Sequence, residues 1–150
     1  MTVIAWDGKT MAADKRTNWG GLGSITVKIH RVYRAQSDDY VLAGCAGNTA
    51  QIAELLYWLS AGAKPETFPA AQRDLKECVS MLMVLPDGTL CQYENTAFPI
   101  PILDKQWAIG SGRDFALAAM HLGRTAAEAV GVACHFDSYC GNGIDTLELA

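Results

Sequence analysis

Apolar and polar positions change period several times along this chain, and each change marks an element. Thr2 to Trp6 alternate β-branched and apolar residues, Asp7-Gly8 is a strong turn signal, and Lys9 to Ala13 resume an extended run, which predicts a hairpin over residues 2–16. The hairpin pins the start of the chain in a sheet, where most chain ends fray, so the position of the first residues acquires significance. The glycine-rich passage TNWGGLGSIT, Thr17–Thr26, predicts a loop or irregular turn. Val27, Ile29 and Val32 then alternate with Lys28, His30 and Arg31 as in a half-buried strand. YVLAGCAG is short, apolar and bounded by glycine, a buried strand that runs into a helix. That helix starts from the capping residue Asn48, carries Ile52, Leu55, Leu56 and Leu59 at helical spacing, and stops at Gly62.

Pro65 and Pro69 break the middle segment into a loop with a short helix. MLMVLPDGTLCQYEN predicts a second hairpin that turns at Pro86-Asp87-Gly88. WAIGSGRDFALAAMHLG repeats the earlier order of strand, glycine corner and helix, and Thr125 with Glu128 forms a capping box for the last helix. DSYCGNGIDTLEL closes the chain with a turn and a strand. Hairpins flanked by helices give an α+β pattern, and no linker or shift of composition interrupts it, so residues 1–150 read as one domain.

Composition narrows the function classes. A chain of 150 residues buries about 70% of its unfolded surface and stands on an ordinary core. Its net charge of -4 offers no basic field for nucleic acid. Five cysteines, Cys45, Cys78, Cys91, Cys134 and Cys140, are odd in number and lack CxxC spacing, which points to reduced thiols in a cytoplasmic protein and not to disulfides or zinc. No run approaches the ~18 apolar residues of a membrane span, and no export signal precedes the first strand. His30, His121 and His135 are scattered, so no metal or other cofactor is expected. Tyr57 and Trp58 read as packing or subunit contacts, and GSGRDF lacks the Lys and Ser/Thr of a phosphate loop.

Threonine directly behind the initiator methionine carries the candidate chemistry. Removal of Met1 by a methionine aminopeptidase, with no propeptide to excise, leaves Thr2 with a hydroxyl and a free α-amine. Such an amine has a reference pKa of about 7.7–8.0 and accepts the hydroxyl proton at physiological pH. Nucleophile and base then share one residue.

The segments TVIAW, AADKR, VKIHRVYRAQSDDYVLAGCAGNTAQIAELL, AIGSGRDFALAAM and DSYCGNGIDTLEL resemble, in order, the proteasome β subunits and their bacterial ring relatives, which are N-terminal nucleophile hydrolases. The resemblance implies a four-layer αββα sandwich with Thr2 as nucleophile at the mouth of the cleft between its sheets. Lys28 matches the family's buried lysine and Asp14 the acid that pairs with it. Gly47 matches the oxyanion donor, and Ser111 and Asp137 the polar pair that orients the amine and the attacking water. Cys45 and Thr49 match positions that line the pocket for the residue before the cleaved bond; both are small, which suggests room for a medium or large apolar side chain. Cys140 departs from the family, standing where many relatives carry a serine, and a thiol is the weaker hydrogen-bonding group.

The implied function is a metal-free threonine endopeptidase that cleaves unfolded polypeptides inside a homo-oligomeric ring. Such rings have six or seven subunits and stack in pairs, and the family pairs them with an ATP-dependent unfoldase. An inactive structural subunit of the ring and an amidase for small amides are the alternatives.

Overall fold

The computed structural model describes residues 2–149. β1 (Ile4–Trp6) and β2 (Thr10–Asp14) form the expected hairpin, with Ile4 opposite Ala13 and Trp6 opposite Met11. Asp7 builds the turn: its Oδ1 accepts the N–H groups of Lys9 and Thr10 at 2.9 and 2.8 Å, and Gly8 takes φ +101°. β10 (Trp107–Ile109) joins the outer side of β1, and β11 (Ile144–Glu148) the outer side of β2, which completes a four-stranded antiparallel sheet. The strand that follows Thr2 is therefore central, held from both sides.

A second sheet runs in chain order through β5 (Ile29–Tyr33), β6 (Tyr40–Ala46), β7 (Ser80–Val84), β8 (Leu90–Tyr93) and β9 (Ile100–Ile102), antiparallel throughout. Its hydrophobic alternation sorts side chains to two faces. Leu42, Leu82, Val84 and Leu90 meet Ile4, Trp6, Met11 and Ala13 of the first sheet. Val41, Ala43, Cys45, Met81 and Met83 point the other way, onto Leu55, Trp58 and Leu59 of α1 (Thr49–Ser60). The opposite face of the first sheet, Val3, Ala5, Ala12 and Ala108, packs on α2 (Arg113–His121) and α3 (Ala126–Phe136) through Ala116, Met120, Ala129, Val130 and Ala133. Helix, sheet, sheet and helix pair make the four-layer α+β sandwich.

Local chemistry fixes the junctions. Asn48 Oδ1 accepts the N–H groups of Ala50 and Gln51 and starts α1. The capping box starts α3: Thr125 Oγ1 accepts the Glu128 N–H, and Glu128 Oε2 accepts the Thr125 N–H. Trp58 anchors α1, edge-on to Phe68 and Tyr93, with its Nε1 donating to Lys64 O at 2.9 Å. Gly44 sets the sheet spacing, because a Cβ there would lie 2.6 Å from Ile4 Cγ2 of the facing sheet.

Three readings from the pattern change. TNWGGLGSIT is no loop: β3 (Arg16–Trp19) and β4 (Leu22–Ile25) pair across a Gly20-Gly21 turn, with both glycines at positive φ. Its low apolar content reflects a ribbon that lies outside both sheets. At the entry to β5 the alternation is inverted, Val27 being exposed and Lys28 buried, because a carboxylate waits inside for the lysine. The proline-broken middle holds two 3-10 turns, Pro65–Thr67 and Ala70–Arg73, where one short helix was expected.

Candidate active site

The two sheets meet at one end around Thr2, where three charged or polar side chains are withdrawn from water: Asp14 is 0% exposed, Lys28 5% and Thr2 7%. Burial of a charge is costly unless it is paired and hydrogen-bonded. Asp14 meets both conditions. Its Oδ1 accepts from Lys28 Nζ at 2.8 Å and from the Val3 N–H at 3.1 Å, while its Oδ2 accepts from the N–H groups of Arg16 at 3.2 Å and Gly141 at 3.1 Å. One carboxylate thereby ties together β1, the start of β3, the lysine before β5 and the turn before β11.

Lys28 reaches from the second sheet, and its Nζ also donates to Thr2 Oγ1 at 3.1 Å. The Cys45 N–H donates to the Lys28 carbonyl at 3.1 Å, which ties the lysine's backbone to β6. A cation held in hydrogen-bond range of a hydroxyl favours the alkoxide form of that hydroxyl.

On the other side of Thr2 lies the corner Gly110-Ser111-Gly112. The Thr2 N–H donates to Ser111 Oγ at 3.3 Å, and Ser111 Oγ donates to Asp137 Oδ2 at 2.7 Å. Glycine is required on both flanks of Ser111. A Cβ on Gly110, which sits at φ +95°, would fall 2.1 Å from Thr2 O, and one on Gly112 would fall 2.9 Å from Val3 Cβ.

Asp137 caps the end of α3 and turns back toward this corner. Burial raises its pKa, but hydrogen bonds from Ser111, the Tyr139 N–H and Cys140 outweigh burial and hold the carboxyl below its ordinary value. The Cys140 thiol donates to Asp137 Oδ2 at 3.4 Å. Burial, with the charges of Asp14 and Asp137 added, pushes that thiol up to about 12, so it remains a neutral donor at physiological pH.

An unbroken hydrogen-bonded chain thus runs Asp137, Ser111, Thr2, Lys28, Asp14. Five residues picked out across 136 positions of sequence are brought into one site, with a hydroxyl at its centre and a cation beside it. The remaining three line a cavity of about 50 Å³ with Thr2: the backbone of Gly47, and the side chains of Cys45 and Thr49, joined by Val27 and Ile52. Gly47 takes φ +143°, and a Cβ there would press on Val79 at 3.1 Å.

The sequence reading missed the donors that hold Asp14 from Arg16 and Gly141, and it missed the two glycines as close-approach positions. Repeated glycines in GSG and CGNG were the available signal. Removal of Met1 concerns a residue outside the described ones. Among the described residues, no helix is long and apolar enough to cross a membrane, and no group of three or more His, Cys, Asp or Glu is placed to hold a metal ion.

No family model and no curated protein matches the chain. Solved structures do. BPH of Thiobacillus denitrificans superposes with a TM-score of 0.69 at 21% identity, covering 99% of this chain and 98% of that one. The same protein in complex with epoxomicin gives 0.69 at 22%, over 100% of both chains. Eukaryotic HslV from Trypanosoma brucei gives 0.67 at 22%, over 98% of both chains. The sandwich described above is the fold of these chains, over their full length.

Proposed function

We propose that this chain, once Met1 is removed, is a threonine endopeptidase subunit of a self-compartmentalised ring that cleaves unfolded polypeptides. The observation that carries this reading is the position of Lys28 Nζ, 3.1 Å from Thr2 Oγ1 and 2.8 Å from Asp14 Oδ1, with all three residues buried.

Chemistry follows from that placement. The free α-amine of Thr2 takes the proton from Oγ1 as the oxygen attacks the peptide carbonyl. Lys28 stabilises negative charge on that oxygen and lowers the proton affinity of the amine, which keeps part of the amine neutral. Asp14 keeps Lys28 charged and in place. The Gly47 N–H, beside the N-terminus of α1, donates to the oxyanion of the tetrahedral intermediate. Its collapse passes the proton from the α-ammonium to the departing amine and leaves an ester on Oγ1. Water then attacks the ester with the amine again as base, which releases the acid and restores Thr2. Ser111 and Asp137 hold the amine, and Cys140 takes the place of a stronger hydroxyl donor to Asp137.

Similarity of fold to HslV and BPH supports assembly into a homo-oligomeric ring of six or seven subunits, stacked as a pair, which keeps folded proteins from the sites. An ATP-dependent unfoldase delivering substrate and a cytoplasmic location belong to the same reading.

Intact-mass spectrometry before and after treatment with an epoxyketone tests it, because that warhead closes on the hydroxyl and the free amine of one N-terminal threonine. The expected result is a mass without Met1 that gains one inhibitor. A retained methionine, or a processed chain without adduct, overturns the reading in favour of a structural ring subunit. A labelled monomer that cleaves small amides and not unfolded protein favours an amidase.

A further inference from the structure

Thr2, Asp14, Lys28 and Gln72 are the buried polar or charged residues among the described ones. The first three make the site. Gln72, 1% exposed on the 3-10 turn Ala70–Arg73, stands apart from them, yet its amide is fully engaged. Its Oε1 accepts the Val79 N–H at 2.7 Å, and its Nε2 donates to the Val79 carbonyl at 2.7 Å and to the Glu94 carbonyl at 3.1 Å. A primary amide offers one acceptor oxygen and two N–H donors, and here the oxygen and the nitrogen both meet backbone.

The two bonds to Val79 are those that a neighbouring antiparallel strand makes with a residue opposite its own. Such a strand is missing at this point, because the β7–β8 ladder ends with Met81 opposite Tyr93 and leaves Val79 beyond its last rung. Val79 is 0% exposed, so its N–H and carbonyl need partners inside the protein. One side chain therefore stands in for a strand.

Val79 is also the floor under Gly47. β6 and β7 place Cys45 opposite Met81 and Ala46 opposite Ser80, which puts Gly47 opposite Val79 one step further on. A Cβ on Gly47 would lie 3.1 Å from both Cα and Cγ2 of Val79, so the two residues pack with no room for a methyl group between them. Gly47 thus rests on Val79 on one side and lines the Thr2 pocket on the other.

We propose that Gln72 is a positioning residue for the oxyanion donor: it locks Val79, against which Gly47 rests, and so fixes where the Gly47 N–H points. This deepens the reading of Thr2 as the nucleophile and rests on it. Gln72 touches no reacting atom. Its effect passes through one buried valine, and a displacement of the donor by 1 Å is worth on the order of 10²-fold in rate.

Two variants of the assembled protein test the proposal. Gln72→Met keeps the length of the side chain and removes all three bonds; Val79→Ala keeps the clamp and removes the Cγ2 that abuts Gly47. Turnover is expressed per site that takes up an epoxyketone, so that loss of folded protein does not count. Gln72→Met is expected to lower kcat about 10- to 100-fold with KM within about twofold, and Val79→Ala to lower kcat at least about threefold with the same split. Affinity for a peptide aldehyde, whose adduct with Thr2 Oγ1 carries an oxygen in the oxyanion position, is expected to fall by the same factor as kcat. Affinity for the reduced-amide peptide of the same sequence, which has no carbonyl oxygen, is expected to hold. A merely structural role lowers the unfolding midpoint and leaves the ratio of these two affinities in place. Unchanged kcat per site in both variants, or aldehyde and reduced-amide affinities that fall together, overturns the proposal while the peptidase reading stands. Where Gln72→Met does not assemble, Val79→Ala decides by the same criteria. A wild-type protein that takes up no epoxyketone overturns the reading of Thr2 and the proposal with it.

Discussion

Lys28 and Asp14 form an ion pair of 2.8 Å with side chains that are 5% and 0% exposed, one from each of the two sheets. A buried pair of this kind adds little net stability when intact, but removal of one partner strands the other charge. Asp14→Ala strands Lys28 and also frees three backbone N–H groups. The expected loss is about 3–5 kcal/mol in urea unfolding, and a loss under 1 kcal/mol contradicts the account of Asp14 as the knot of the site.

Thr2→Ala removes the hydroxyl and keeps the pair. Peptide cleavage is expected to fall by about 10⁴-fold or more, with the unfolding midpoint and the particle size by light scattering unchanged. Lys28→Ala is expected to cost about 10²–10³-fold, the worth of one electrostatic donor, and also to lower the unfolding midpoint, because it strands the buried Asp14 carboxylate. Substantial turnover by purified Thr2→Ala refutes the mechanism.

Gly110→Ala forces a Cβ to within 2.1 Å of Thr2 O at a backbone angle of +95°. Strain of this kind costs about 1–3 kcal/mol. Displacement of Thr2 by 1 Å costs on the order of 10²-fold in rate. Activity is therefore expected to collapse in a protein that still unfolds cooperatively, which paired denaturation and turnover assays will reveal.

Two groups give opposite pH dependences. The Asp137 carboxyl is depressed in the fold, so its stabilisation is present above the ordinary carboxylate pKa of 3.8 and fades as pH falls below it. The Cys140 thiol is raised from 9.0 to about 12, so its contribution is complete below pH 9 and is lost as pH rises toward 12. Asp137→Asn is expected to flatten the acid limb of a stability profile, and Cys140→Ala the alkaline limb. Unchanged limbs in both variants contradict these assignments. Alkylation at pH 8 is expected to spare Cys45, Cys91 and Cys140 until the protein unfolds, since burial holds all three thiols neutral.

The sequence was most legible where local chemistry decides structure. Asp7-Gly8 and Pro86-Asp87-Gly88 announced their turns, and Asn48 and the Thr125–Glu128 box announced their helices, because a short-range hydrogen bond or a glycine conformation is written in adjacent letters. The β3–β4 ribbon was illegible because a strand that packs on neither sheet has no burial pattern to display. β9 carries Pro101 at the edge of its sheet, and its three residues are too few for any period. Lys28 is the instructive case. Its burial follows only from Asp14, fourteen residues earlier, and alternation alone put it on the wrong face. Here the likeness to a family supplied what periodicity lacked.

Gly44 has a consequence that reaches Thr2. The nucleophile candidate rides on one sheet and its cation enters from the other, so their 3.1 Å separation is a caliper reading of the gap between layers. Ile4, two residues from Thr2, and Ile29, next to Lys28, both close on the empty position at Gly44. A methyl group placed there is a shim: it spreads the jaws where the measurement is taken. On the proposed mechanism, activity therefore reads the spacing of the two layers, and a change at Gly44 reaches the Thr2–Lys28 contact without touching either residue.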